Sequence, residues 1–190
     1  ADDATLAEFG PLLQRLRDRM GFVPNGFAIM ARDPEILRAV LALAEAVAGP
    51  HRRLEPELAR LVAHAAATAA GQPYEQAQSA HVAEREGVPA AKIEAVPEAA
   101  TSDRFTGAER AALALAEAAA AAPCRAGAGH YAEARRWFSE AEVLEILALV
   151  SFSAFVERWN AALATPLEDA PRAFGEAHLA ARGWTPDRHG

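Results

Sequence analysis

The chain has 190 residues, of which 52% are hydrophobic and 7% aromatic, and its formal net charge is −7 at pH 7. That length suffices for one helical domain with its own core. The acidic balance, without a basic block, argues against nucleic acid and anionic membrane as partners. We find no apolar run long enough for a membrane span and no signal-peptide pattern in ADDATLAEF. The single Cys124 cannot form an internal disulfide, so we expect a reducing, cytoplasmic location.

Helical periodicity runs through the sequence, and no segment alternates in the way a β-strand does. We therefore predict an all-α fold. In chain order, the predicted helices cover residues 5–20, 34–48, 55–70, 73–86, 90–96, 107–122, 130–138 and 140–163.

Local signals mark where these helices begin and end. Capping boxes are expected at Thr5-x-x-Glu8, Thr106-x-x-Glu109 and Ser139-x-x-Glu142. Gly71 and Gly87 have the position of left-handed C-terminal caps, since glycine adopts that backbone conformation without strain.

We predict one domain over residues 1–190, with two halves joined by the polar connector 97–104. The tail, 166–190, is expected to be irregular and to pack on the body through large apolar side chains, namely Phe174, Leu179 and Trp184. Alanine-rich helices bury little area each, so we expect the protein to form a homo-oligomer.

The helix predicted over residues 73–86 carries the first set of candidate site residues. Tyr74, Gln78 and His81 follow at i, i+4 and i+7, so they share one face, and Glu75 and Ser79 share an adjacent one. Such a set could orient and protonate a small polar molecule, with histidine best suited to exchange a proton near neutral pH. The alternative is an ordinary solvated face.

The preceding helix carries a second polar stripe. Glu57, Arg60 and His64 lie at i, i+3 and i+7. They could form an ion-pair ladder, with Glu57 bound to Arg60, or one wall of a polar cavity. His64 could be a hydrogen-bonded structural histidine or a catalytic one. No metal-ligand spacing and no nucleotide-binding motif is present, so we expect neither a metal nor a cofactor.

Several segments together resemble one known superfamily. They are Gly21–Asn25, Asp33–Ala39, Gly71–Gly87, Phe105–Leu113, Phe138–Glu142, Trp159–Leu163 and Gly183–Pro186. In this order they resemble the carboxymuconolactone decarboxylase and alkyl hydroperoxidase D superfamily. The resemblance implies an all-α fold assembled as trimers or hexamers, with a pocket near a subunit contact.

The chain departs from the family's peroxidase branch, which carries a Gly-Cys-x-x-Cys-x-x-x-His run. Gly71 matches the glycine, but Gln72 and Glu75 stand at the cysteine positions and Ser79 stands at the histidine position. Without a thiol pair, peroxide reduction by thiol–disulfide exchange has no route. Hydroperoxide reduction is therefore the least supported activity.

The decarboxylase-like branch carries Tyr-Glu-Trp-x-x-His. Tyr74 and Glu75 match this run, whereas Gln76 replaces the tryptophan and Ser79 the histidine. The glutamate often found eleven residues before the glycine corresponds to Arg60.

From these residues we predict a cofactor-free lyase or isomerase with decarboxylase-type or lactone/enol acid–base chemistry on a small carboxylate- or carbonyl-bearing molecule. His81 or His64 would move a proton, while Glu75 and Tyr74 would position or polarise the substrate. The alternative is a non-catalytic oligomeric binding or scaffold protein of the same fold.

Substrate binding is assigned to three residues: Arg60, Gln78 and Ser79. Arg60 would hold an anionic group. We also expect Arg60 to keep Glu75 ionised and the imidazoles neutral.

Overall fold

The structure is a computed structural model that describes residues 3–186, with side chains from Phe9 onward. Its helices, in chain order, are α1 Asp3–Met20, α2 Asn25–Met30, α3 Pro34–Ala48, α4 Pro56–Ala70, α5 Pro73–Arg85, α6 Ala90–Glu94, α7 Gly107–Ala120, α8 Ala128–Ala134, α9 Glu140–Ala162 and α10 Asp169–Phe174. No strand occurs within this part of the chain, and the prediction of an all-α fold is confirmed. None of its helices combines the length and apolar character needed to cross a bilayer.

The predicted helix boundaries are largely confirmed, because the local signals act as expected. Both later capping boxes form: the side chains of Thr106 and Ser139 accept from the third residue of α7 and α9, respectively. Gly71 ends α4 with φ +68°, in the left-handed region. The capping box expected at Thr5-x-x-Glu8 falls on side chains outside the described set.

The tail differs from its prediction. It is not irregular: α10 continues through helical turns to Arg182. Its three predicted anchors, Phe174, Leu179 and Trp184, are buried in the main core as expected. The Trp184 indole also donates to Pro73 O at 2.9 Å, so the tail is bound to the first turn of α5. Such short helical segments are sustained by tertiary packing rather than by their own propensity.

Two apolar clusters organise the molecule. The larger one is centred on α4, which packs against α5, α7 and α9. The smaller one joins the first three helices through Phe9, Met30, Leu37, Val40 and Leu41. The short helix α2 was not predicted from the sequence, and it supplies Met30 to this second cluster.

One carboxylate connects α1 with α4 through two ion pairs. Glu86, at the end of α5, accepts from Arg19 Nε of α1 at 2.6 Å and from Arg60 Nε of α4 at 2.6 Å. The Arg60 side chain is only 9% exposed, so this pair lies partly away from water. Partly buried, hydrogen-bonded ion pairs are costly to break because one charge is then left without a partner.

We expect Glu86→Gln to lower the free energy of unfolding by about 2–3 kcal/mol, less than the ~3–5 kcal/mol of a fully buried pair, because Glu86 is partly exposed. Urea unfolding measures this change. Glu84→Gln, an exposed neighbour on the same helix, is the control. Equal losses in the two variants would contradict a stabilising role for the Arg19–Glu86–Arg60 network.

Candidate functional site

A cavity of about 200 Å³ lies between the layer formed by α1, α2 and α3 and the body formed by α4, α5 and α9. Most of its wall is apolar: Leu12, Leu16, Met20, Phe27, Met30, Leu41, Val82, Leu149, Phe152 and Val156. The polar side chains in the wall are Arg19, Glu45, Arg60, Tyr74, Glu75, Gln78, Ser79, Ser153 and Asn160. A mostly apolar cavity with a few convergent polar groups is typical of a small-molecule site.

The structure brings five of the predicted site residues to this wall: Arg60, Tyr74, Glu75, Gln78 and Ser79. Four of them belong to the first two turns of α5, whose helical spacing turns these positions towards α4 and α9. The amphipathic pattern of α5 therefore places the polar set at the cavity.

The two predicted catalytic histidines do not line this cavity. His64 is buried between α4 and α5, with its Nδ1 at 3.0 Å from Ser79 Oγ. His81 shares a helical face with Tyr74 but lies two turns further along α5, where its Nε2 is 3.3 Å from Met20 O and its ring stacks on Phe22.

Burial favours the neutral form of both imidazoles. Burial lowers the pKa of His64 to about 4, opposed in part by the hydrogen bond that its ring makes to the backbone of Gln76. Burial also lowers the pKa of His81. The expectation of neutral imidazoles agrees with these directions, but burial is the main cause rather than Arg60.

Glu75 is the most strongly perturbed acid in the cavity wall. Burial raises its pKa to about 8, and the charges of Glu157 and Glu168 act in the same direction. Asn160 Nδ2 donates to Glu75 Oε1 at 2.8 Å and partly opposes this shift. The prediction that Arg60 keeps Glu75 ionised is therefore wrong, because the bound partner of Arg60 is Glu86. Glu75 carries a proton at neutral pH.

Arg60, which also lines the cavity, keeps one guanidinium nitrogen unpaired. Its Nε is bound to Glu86, while its buried Nη2 has no hydrogen-bond partner among residues 3–186. The ion pair of Glu57 with Arg60 that the spacing allowed does not form, since Glu57 binds Lys92 Nζ at 2.6 Å. Arg19 lines the cavity beside Arg60, so two guanidinium groups share the Glu86 carboxylate there.

Sequence reasoning missed two residues that hold the site together. Asn160 of α9 binds Glu75, although its motif was noted only as part of a family resemblance. Glu168, in the segment before α10, accepts from Asn25 N at 2.5 Å, from Tyr74 Oη at 3.0 Å and from Gln78 Nε2. Burial raises the pKa of Glu168, and the hydrogen bond from Asn25 opposes that shift. No helical periodicity could have linked residues about 90 positions apart.

Within residues 3–186, no group of three His, Cys, Asp or Glu side chains is arranged to hold a metal ion. Cys124 is exposed in the loop before α8 and is not part of the cavity wall.

Comparison with known proteins places this geometry in a family. Residues 34–118 match the carboxymuconolactone decarboxylase family. The debrominase Bmp8, solved in its apo form and as a cysteine-to-alanine variant in complex with 2,3,4-tribromopyrrole, is 32% identical over 93% of this chain and 94% of its own, with a TM-score of 0.86. The chain belongs to the carboxymuconolactone decarboxylase and AhpD-like superfamily. No match was found among curated proteins.

More distant members of the superfamily share the fold. The alkylhydroperoxidase AhpD core of a peroxidase-related protein from Ralstonia eutropha JMP134 is 18% identical, with a TM-score of 0.76 over 87% of each chain. A peroxidase-related protein from Silicibacter sp. TM1040 is 19% identical, with a TM-score of 0.74 over 89% of this chain and 88% of that one. These likenesses concern the arrangement of helices.

The raised pKa of Glu75 predicts a pH-dependent stability. The unfolded carboxyl group ionises near 4.5 and the folded one near 8, so the unfolded chain binds fewer protons in between. The contribution of Glu75 is full below about pH 4.5 and is lost as the pH rises to about 8. Glu75→Gln removes this titration and keeps an oxygen for Asn160.

Between about pH 5 and about pH 8, the Tm of both proteins is compared by thermal unfolding. The Tm of the wild type should fall further than that of Glu75→Gln, and the difference between the two decreases should be on the order of 5 °C. Glu84→Gln should follow the wild type. Parallel Tm profiles for wild type and Glu75→Gln would show that Glu75 ionises normally.

Gly26 sets the position of the Asn160 amide. A Cβ on Gly26 would lie 2.4 Å from Asn160 Oδ1, so Gly26→Ala must displace that side chain. Because the Asn160 hydrogen bond lowers the pKa of Glu75, its loss should raise that pKa above about 8 in carboxyl 13C NMR titrations. Gly10→Ala is the control, since a Cβ there meets nothing within 4 Å. A Glu75 titration unchanged in folded Gly26→Ala would refute this link.

Proposed function

We propose that the protein is an acid–base enzyme of the lyase or isomerase type, in which Glu75 delivers a proton to a small, largely apolar substrate. One observation carries this proposal: a carboxyl group with a pKa of about 8 in the wall of an apolar cavity. A general acid works best when its pKa lies near the operating pH, since it is then protonated and still able to release the proton. A buried carboxyl that remains protonated at neutral pH meets that condition.

The substrate's negative charge would be met by Arg60. Its unpaired Nη2 and the neighbouring Arg19 place positive charge in the wall that contains Glu75. An enolate-like charge that develops when carbon dioxide leaves, or when a lactone or enol rearranges, would be stabilised by such a fixed cation. Glu75 would then protonate the carbon. The cavity residues themselves thus supply both an acid and an anion-stabilising group.

One relative supports a small ring as the substrate. Bmp8 was solved with a small substituted pyrrole, and this chain aligns with it over nearly the full length. A cavity of about 200 Å³ with an apolar wall suits a molecule of that size. Thiol chemistry at this cavity is not part of the proposal, because Cys124 is exposed elsewhere.

Turnover of small β-keto acids and carboxylate-bearing enol lactones, followed by proton NMR in deuterated water, tests this proposal. We expect deuterium to enter at carbon, with kcat decreasing above about pH 8 as Glu75 ionises. Glu75→Gln should lower kcat by about 10²–10⁴-fold. Arg60→Lys should mainly raise KM, because lysine lacks the planar fork of donors. Glu84→Gln is the matched control on α5.

Three outcomes would overturn parts of the proposal. A loss of kcat in His81→Asn as large as that in Glu75→Gln would indicate that His81, as first predicted from the sequence, transfers the proton. A kcat that rises through pH 8 would make Glu75 a base rather than an acid. Tight binding of these compounds without any turnover would favour the non-catalytic binding protein.

A further inference from the structure

Hydrogen bonds to Tyr74 and Glu168 hold the amide of Gln78 in one orientation. Its Nε2 donates one hydrogen bond to Tyr74 Oη at 3.2 Å and a second to Glu168 Oε2, so both N–H groups of the amide are used. Gln78 itself is 4% exposed. Every donor of this side chain is therefore engaged with protein.

The opposite orientation of the amide is disfavoured by Glu168. The Asn25 backbone N–H can only donate, and it lies 2.5 Å from Glu168 Oε1, where Tyr74 Oη also donates at 3.0 Å. The carboxylate is thus an acceptor on all sides. Rotating the Gln78 amide by half a turn would place its oxygen against this carboxylate, where two acceptors would face each other.

This orientation leaves an unpaired acceptor in a cavity residue. Gln78 Oε1 is buried and has no hydrogen-bond partner in the described part of the chain, although Gln78 is part of the cavity wall. Because the amide nitrogen is held by Tyr74 and Glu168, the side chain cannot turn to give this oxygen a donor from the protein. Buried acceptors without a partner are uncommon in folded proteins, so such an atom calls for a ligand or water.

We propose that the cavity recognises ligands through an O–H or N–H donor whose hydrogen bond Gln78 Oε1 accepts, and that Glu168 is the positioning residue that fixes the amide so that its oxygen remains the free acceptor. The class of ligand is a small, mostly apolar enol, phenol or N–H heterocycle. This inference rests on the proposed function only in that both use the same cavity. It adds the hydrogen-bonding group by which the substrate is selected.

Recognition through an acceptor can be measured with a matched pair of probes. 4-Methylphenol carries an O–H donor, and 4-methylanisole replaces that hydrogen with a methyl group. Binding of each to the full chain is measured by ligand-observed NMR titration. We expect the phenol to bind about three- to tenfold more tightly, as the gain of one hydrogen bond implies.

Two variants assign this preference to its residues. Gln78→Met keeps the volume and removes the acceptor, so it should abolish the preference while leaving the affinity for 4-methylanisole unchanged. Glu168→Gln allows the Gln78 amide to rotate, so it should reduce the preference in the same way. Gln76→Leu, on α5 but outside the cavity wall, is the matched control and should keep it. Thermal unfolding of each variant confirms folding.

Equal affinities of the two probes for the wild type would overturn the proposal, and so would a preference that persists in Gln78→Met. Failure of both probes to bind at millimolar concentration would also overturn it. A preference that persists in Glu168→Gln alone would remove the positioning role of Glu168. Because these measurements follow binding and not turnover, a failure here is distinguishable from a failure of the acid–base proposal.

Discussion

The pairing of Glu86 with two arginines decides the character of the cavity. Arg60 and Glu75 both line it, and a direct pair between them would have kept Glu75 ionised and used up the cation. Instead, Glu86 binds Arg60 and Arg19, and Glu75 keeps a single amide donor from Asn160. Burial then dominates, because no opposite charge offsets the desolvation of the carboxylate. One cavity can thus contain a protonated acid and an unpaired guanidinium N–H group.

The polar side chains of α5 both line the cavity and bind the rest of the fold. Towards the cavity, α5 presents Glu75 and Gln78. Away from it, Tyr74 and Gln78 are fixed by Glu168, which also binds the first residue of α2. Side chains that are already fixed by hydrogen bonds lose little conformational freedom when a ligand binds, and such preorganisation favours both affinity and catalysis. The cavity wall is therefore built from segments that are far apart in sequence.

Much of the fold follows from local signals, but the site follows from them only in part. The capping boxes at Thr106 and Ser139 predict where α7 and α9 begin, because a cap depends on residues three apart. Helical spacing likewise brings Tyr74, Glu75, Gln78 and Ser79 to one wall.

Spacing alone does not say how far along a helix the cavity extends, and so His81 shares the face but lies beyond the cavity. The partner of Arg60 could not be predicted either, because Glu57 is near in sequence whereas Glu86 is near in space. The contribution of Glu168 depends on contacts with residues about 90 positions away, for which periodicity carries no information. The helical tail was missed for the same reason, since its order comes from the core it covers.

The hydrogen bond from Trp184 to Pro73 connects the tail to a helix that forms part of the cavity wall. Pro73 is the first residue of α5, and Tyr74 and Glu75 follow it directly. Local opening events involve contiguous cooperative units, so detachment of the last helical turns would loosen the turn that carries the acid. The lifetime of the closed tail would then limit the fraction of time in which the proton donor is correctly oriented. Under the proposed function, substitutions in this tail would therefore change activity without contacting the substrate.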